Sequence, residues 1–264
     1  MPALEIVGGQ VTAPGTNLTG LTPFAGNSFT IRNAPEESKI YLLQTWVKSQ
    51  GSGIFRIRSP FLHDNVQGLR FRHKSGQIEP LMTDGFLQTL KPQDTLILEM
   101  TGSAAAGDIE QAFMLIYYEN LPGIEGRFIS PSELNERIEY LFTVENTINP
   151  GSAGGWSGEE LINAEFDLFK ANRDYALMGY IVSADCGAVR YRSSDFGNLG
   201  VGGPGESGLN LMTRNFFVDL SFYTGIPLIP VFNSANRTNT FIDIAQDENA
   251  TPVTVTTLLA LLKG

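Results

Sequence analysis

Apolar and polar residues alternate along this chain in short runs. Over Phe55 to Arg58, the apolar Phe55 and Ile57 alternate with Arg56 and Arg58, the period-2 pattern of a strand with one buried face. β-branched and aromatic enrichment predicts strands in the first half over 28–32, 39–49, 53–58, 68–73, 86–90, 94–100 and 111–119. In the second half it predicts them over 164–169, 175–183, 188–193, 209–212, 216–222, 228–232, 240–244 and 253–259. Turn signals such as Asn33-Ala34-Pro35, Gln50-Gly51-Ser52-Gly53 and Lys74-Ser75-Gly76 separate the runs. One helix is predicted. Ser130 suits its N-cap, Pro131 its first position and Glu133 its third, and Leu134, Ile138, Leu141 and Phe142 follow at helical spacing. No helix alternates regularly with strands, which removes doubly wound α/β folds and helix-wrapped barrels. The expectation is an all-β chain of two tandem jelly-roll sandwich or barrel units with a short connecting helix.

An internal repeat supports two units. Tyr41, Leu43, Trp46, Val47, Ser49, Gly53, Phe55, Arg56, Ile57, Arg58 and Ser59 find counterparts 134 residues on, from Tyr175 to Ser193. Leu81-Met82-Thr83, Phe86 and Leu90 answer to Leu211-Met212-Thr213, Phe216 and Leu220 at an offset of 130, and Phe113 and Ile116 to Phe241 and Ile244 at 128. A slowly drifting register is the mark of a tandem unit. The division expected is an N-terminal arm over 1–24, a first jelly roll over 25–120, a helix-containing connector over 121–163 and a second jelly roll over 164–264.

The chain's 264 residues suffice for two cores of about 100–130 residues each. No run approaches the ~18 apolar residues of a membrane span, and the N-terminus lacks the basic start of a signal peptide. A net charge of −10 argues against general phosphate-backbone binding. The first 24 residues hold one charged side chain, Glu5, and the first basic residue is Arg32, so this is no basic nucleic-acid-binding arm. Its β-prone Leu4 and Ile6 suit addition to a neighbour's sheet edge, or else the segment is a disordered terminus.

The residues offer no obvious catalytic set. Only two histidines occur, His63 and His73, and no Gly-x-Ser-x-Gly frames a nucleophile. Cys186, the only cysteine, cannot form an intrachain disulfide. Asp243, Asp247 and Glu248 lack calcium-loop spacing, and the Gly197–Gly208 stretch lacks the strand-to-helix setting of a phosphate cradle and reads as a loop. No cofactor and no enzymatic activity are expected. The paired Arg56/Arg58 and Arg190/Arg192 sit on exposed strand faces of both repeats, suited to carboxylates of a neighbouring subunit or of the same chain. Trp156, in the Gly/Ser-rich stretch 149–158, suits either a subunit contact or a lid over its own core.

Two jelly-roll-like units, a helix-bearing connection, a flexible N-terminal arm and no catalytic set together resemble the double jelly-roll major capsid proteins of tailless icosahedral viruses, including small bacteriophages. The resemblance covers nearly the whole chain and is architectural. It implies a virion protein, made in the host cytoplasm, whose trimers place six barrels in a pseudo-hexagonal tile of an icosahedral shell. Subunit contacts would then involve Trp156, Arg56, Arg58, Arg190, Arg192, Leu4 and Ile6. Minor capsid or vertex proteins and an internal membrane are further implied partners. The alternative is a carbohydrate- or receptor-binding spike or minor capsid protein that uses exposed aromatics such as Trp156, Phe196 and Tyr223. A hydrolase on the same scaffold lacks a catalytic constellation.

Overall fold

The computed structural model describes residues 2–62, 65–75, 78–80, 87–149, 154–162, 169–246 and 251–264, with the backbone alone at 78–80. His63, Asp247, Glu248, the Leu81–Phe86 part of the repeat and most of the strand expected over 164–169 lie outside the described residues.

Among the described residues, sixteen strands carry the architecture. In the first half they are β1 (Ala3–Thr12), β2 (Thr19–Gly20), β3 (Ile40–Lys48), β4 (Gly53–Arg58), β5 (Leu69–His73), β6 (Gln88–Thr89), β7 (Ile97–Met100) and β8 (Ile109–Tyr118). In the second they are β9 (Ile138–Ile148), β10 (Gly155–Trp156), β11 (Asp174–Val182), β12 (Cys186–Ser193), β13 (Gly200–Gly205), β14 (Ile229–Asn233), β15 (Thr240–Gln246) and β16 (Val253–Leu262). Short strands at 22–23, 78–80, 128–129 and 160–161 flank the sheets.

The strand order repeats. Unit 1 has a long sheet, β1-β8-β3-β6, and a short sheet, β2-β7-β4-β5; unit 2 has a long sheet, β9-β16-β11-β14, and a short sheet, β10-β15-β12-β13. Every pairing within these sheets is antiparallel. Each order is that of a jelly roll, two interleaved Greek keys, so the chain is all-β with two jelly-roll units.

Residue register repeats less fully than strand order. Arg56 opposes Glu99 as Arg190 opposes Asp243, so β4/β7 and β12/β15 match. The likeness of 41–47 to 175–181 joins opposite faces. Trp46 points out of unit 1 and bonds Gly187 O, whereas Tyr180 points into unit 2 and bonds Pro204 O. A one-residue slip in a strand exchanges its faces. The offset of 128 also fails, since Phe113 lies on β8 and Phe241 on β15, which hold different places in the order; Leu211 to Thr213 are helical, and their counterparts Leu81 to Thr83 lie outside the described residues.

Several boundaries move. The segment read as an arm is instead β1, paired along its whole length with β8. Leu4 and Ile6 are buried, and Glu5 receives two hydrogen bonds from Arg32, at 2.8 and 2.6 Å. Burial of both strand faces explains why Leu4, Ile6 and Val7 show no alternation, and Glu5 between them is a paired charge. The expected connector contributes β9 and β10 to unit 2. Helix α1 (Pro131–Arg137) starts as read, with Glu133 N donating to Ser130 Oγ, but ends at Arg137, so Ile138, Leu141 and Phe142 lie on β9. The segments at 209–212 and 216–222, read as strands, fall in helices α2 (Asn210–Thr213) and α3 (Phe216–Thr224). In α3, Phe216, Phe217 and Leu220 are buried, whereas Leu211 and Met212 of α2 are exposed, and Gly225 ends α3 at φ +70°.

The two units share packing. One cluster, with Val7, Leu42, Val47, Phe55, Ile57 and Met114, fills unit 1; a larger one fills unit 2 and takes in Leu4, Ile6, Trp46, Phe113 and Leu115 from the outer face of unit 1's long sheet. Strand β8 is buried along all ten residues, since its Met114 side lines unit 1 and its Phe113 side faces unit 2.

Candidate assembly interfaces

The junction between the units is built from the outer face of unit 1's long sheet and the outer face of unit 2's short sheet. Trp46 is its centre. Its ring stacks on Phe113 (centroids 5.4 Å apart, 12° between planes), and its Nε1 donates to Gly187 O at 2.9 Å. Glycine at 187 lets the sheets approach closely, because a Cβ there would stand 2.3 Å from Gln111 Oε1 and 2.8 Å from Phe113 Cζ and displace both side chains. Gln111 in turn donates through Nε2 to Gln246 O across the junction.

Beside Trp46 lies a buried ion pair. Arg190, on β12, donates through Nε to Asp243 Oδ1 at 2.9 Å and through Nη2 to Oδ2, so the pair is bidentate. Burial pushes the Asp243 carboxyl above its ordinary value against the pull of Arg190. Trp156 closes the site from above. Its ring covers the Arg190 guanidinium at 3.9 Å, its edge meets Phe24 and Phe113, and its Nε1 donates to Asn27 Oδ1 at 3.1 Å. Both readings of Trp156 therefore turn inward: it seals a contact between two units of one chain.

The glycine-rich stretch 197–208 is a structural part of this junction. Its Gly200–Gly205 part forms β13, buried throughout, where the sequence reads as a loop. A Cβ at Gly200 would press on Arg190 at 2.4 Å, with Ile6 at 3.3 Å. Glycines in a strand mark a close backbone approach, and here β1 is the approaching strand.

Of the remaining two sheet faces, unit 2's long sheet has α2 and α3 packed along β11 but leaves the outward residues of β9 exposed, and unit 1's short sheet leaves Arg70 and Arg72 of β5 exposed. On unit 1's short sheet, Arg56 and Arg58 both donate to Glu99 Oε2, at 2.7 and 2.9 Å, and their Nη1 atoms reach Val66 O and Asn65 O. Burial alone would raise the Glu99 carboxyl; the hydrogen bonds from Arg58 and Arg56 outweigh it and hold it below its ordinary value. Arg70 and Arg72 on β5 stand beside them, exposed. On unit 2's long sheet, Leu141 is 51% exposed, and Ile181 (36%) lines a shallow hollow of about 360 Å³ with Thr143, Thr256, Leu258, Arg214 and Asn215.

The structure thus assigns the sequence candidates unequally. Leu4 and Ile6 are interior and have no surface to offer a neighbour. Arg190 is spent on Asp243, Arg192 pairs with Glu159, and Arg56 and Arg58 pair with Glu99, all within the chain. Of these, Arg56 and Arg58 lie on an open face. Of the aromatics named for glycan binding, Phe196 is fully buried and Trp156 half-buried; Tyr223 is exposed, beside Phe222. Sequence reasoning missed Trp46, Gly187 and β13, for which the glycine run was the available signal. Among the described residues no three His, Cys, Asp or Glu gather as metal ligands, and no helix is long and apolar enough to cross a membrane.

No protein-family model and no curated protein sequence matches this chain. Among solved structures, it is similar to the PBSX exported protein XepA (9% identity, 98% of this chain and 86% of that one, TM-score 0.26). It is also similar to the major capsid protein P2 from bacteriophage PM2 (8%, 99% and 98%, TM-score 0.25) and to a triple jelly-roll protein of an archaeal virus turret (8%, 100% and 80%, TM-score 0.23). Likenesses at these TM-scores do not define the fold, which rests on the strand order itself.

Proposed function

We propose that this protein is a structural subunit of a virion shell, assembling as a homotrimer whose six jelly-roll units form a pseudo-hexagonal tile. One observation carries the reading: the long sheet of unit 1 packs by its outer face on the short sheet of unit 2, and the complementary strands, β5 of unit 1's short sheet and β9 of unit 2's long sheet, keep outward side chains exposed. A contact of this kind is heterologous, because the two surfaces differ, and repeating it between copies gives either a closed ring or an open filament. Three chains supply six units, enough for a six-cornered ring in which every unit uses the same two faces.

The chemistry of the chain suits that role. Broad sheet faces, few charged side chains (17%) and many glycines (28) favour extensive side-by-side contact. A net charge of −10 suits a wall that does not itself condense nucleic acid, such as a shell lined by a membrane. A major capsid role is preferred to a minor or vertex role, since the open faces serve lateral tiling.

Electron microscopy of the purified protein at rising concentration tests the proposal. Six-lobed rings, alone or in sheets and closed particles, are expected. Single two-lobed particles at every concentration would overturn it and favour a monomeric binding module.

A further inference from the structure

Resting on the self-assembly reading above, we infer that the open short sheet of unit 1 is the docking face for unit 2's long sheet of a second copy, with β9 of one chain lying over β5 of the next and Glu145 meeting Arg70 and Arg72. The chain supplies its own template. At the internal junction β1 lies over β13. Strand order makes β9 the equivalent of β1, and β5 the equivalent of β13. The register transfers residue by residue: Arg190 opposes Gly202 and Ala188 opposes Pro204, while Arg56 opposes Arg70 and Ile54 opposes Arg72. The places taken by Gly202 and Pro204 in the covered sheet are therefore taken by Arg70 and Arg72 in the open one.

That exchange changes what must sit on top. Glycine and proline admit the apolar, uncharged outer side of β1. Two arginines need a strand carrying acid, and β9 has it. Its exposed Glu145 sits with Leu141 and Thr143 on the strand, accepts only a hydrogen bond from Thr256 Oγ1 at 3.0 Å, and has no cation in ion-pair range among the described residues. Glu139, on the same strand, is already held by Lys170 and Arg173. Arg70 and Arg72 form no ion pair among the described residues; Arg70 Nε donates to Gln67 O.

Exposure agrees with the template. In unit 2, Leu199, leading into β13, is 7% exposed because unit 1 covers it; in the corresponding β4–β5 loop of unit 1, Val66 is 74% exposed. The Arg56–Glu99 pair likewise holds the place of the covered Arg190–Asp243 pair. A second copy therefore finds on this face a preformed ion pair, two further cations and an uncovered apolar loop residue.

The test is the mass in solution of charge variants of the full chain. R70E/R72E and, separately, E145R are expected to run at the monomer mass of 28.8 kDa, at a concentration where the wild type is trimeric. Their melting temperatures should be unchanged, because all three side chains are exposed. The triple variant, carrying both reversals, is expected to regain the trimer, since each new acid pair would face a new cation on the next chain. Neutral R70Q/R72Q should lie between and respond less to salt than the wild type. A trimeric wild type whose charge variants all stay trimeric would overturn this face and leave the assembly reading standing. A monomeric wild type would overturn the assembly reading itself.

Discussion

Trp156 lies face-on over Arg190, 3.9 Å from ring centroid to guanidinium, while Arg190 is forked onto Asp243. A cation and its counter-ion are thus buried under a half-buried aromatic lid where two jelly-roll units of one chain meet. Burying charge is costly unless the pairing is good. The two-point geometry supplies that pairing, and the indole keeps water out.

Arg190→Ala should destabilise the fold by about 3–5 kcal/mol, because it strands the Asp243 carboxylate. Replacing both partners together, as in R190M/D243L, should cost far less, since an apolar pair of similar volume removes the desolvation cost along with the attraction. Urea denaturation of the three proteins checks this. Equal losses in the single and double variants would show that packing, not uncompensated charge, sets the cost.

The N-terminal strand gives a second expectation. Removing residues 1–12 takes β1 from between the two units and exposes the faces lined by Leu115 and Met114. The truncated chain should fail to fold cooperatively, and Leu4→Ala alone should cost about 2–5 kcal/mol. Circular dichroism melts decide it. A truncated protein that melts like the wild type would show that the segment is a detachable arm.

The two equivalent ion pairs should respond to acid in opposite senses. Glu99 is held below its ordinary value of 4.5 in the folded chain, so its contribution is present above that value and fades as the pH falls through the lowered one. Asp243 is raised above its ordinary 3.8, so it favours folding in acid and loses that contribution as the pH rises. Glu99→Gln should therefore lose less stability than the wild type between about pH 6 and about pH 3. Parallel stability curves for the two proteins would remove Glu99 from the account.

Much of this fold is legible in the sequence where one physical rule acts alone. The Phe55–Arg58 alternation gave β4, because one face is core and the other open. Ser130-Pro131 gave the start of α1, because capping is local. The arm was misread because β1 is buried on both faces and so shows no alternation, and its lone Glu5 finds Arg32 only in the folded chain. The segment 216–222 reads as a strand because aromatic residues favour strands on average, although Phe216 and Leu220 stand four apart and Gly225 follows as a helix stop. The junction was the hardest part to read. Trp46 and Tyr180 match in sequence yet face opposite ways, and the value of the Gly200–Gly205 run depends on β1, nearly two hundred residues earlier in the chain.

Light scattering on the purified wild-type protein tests the central claim most directly. Three chains of 28.8 kDa give 86.4 kDa, and that mass, or larger particles built from it, is the predicted result. A monodisperse 28.8 kDa species that persists at high concentration would contradict a protein whose open sheet faces exist to be covered by its own copies.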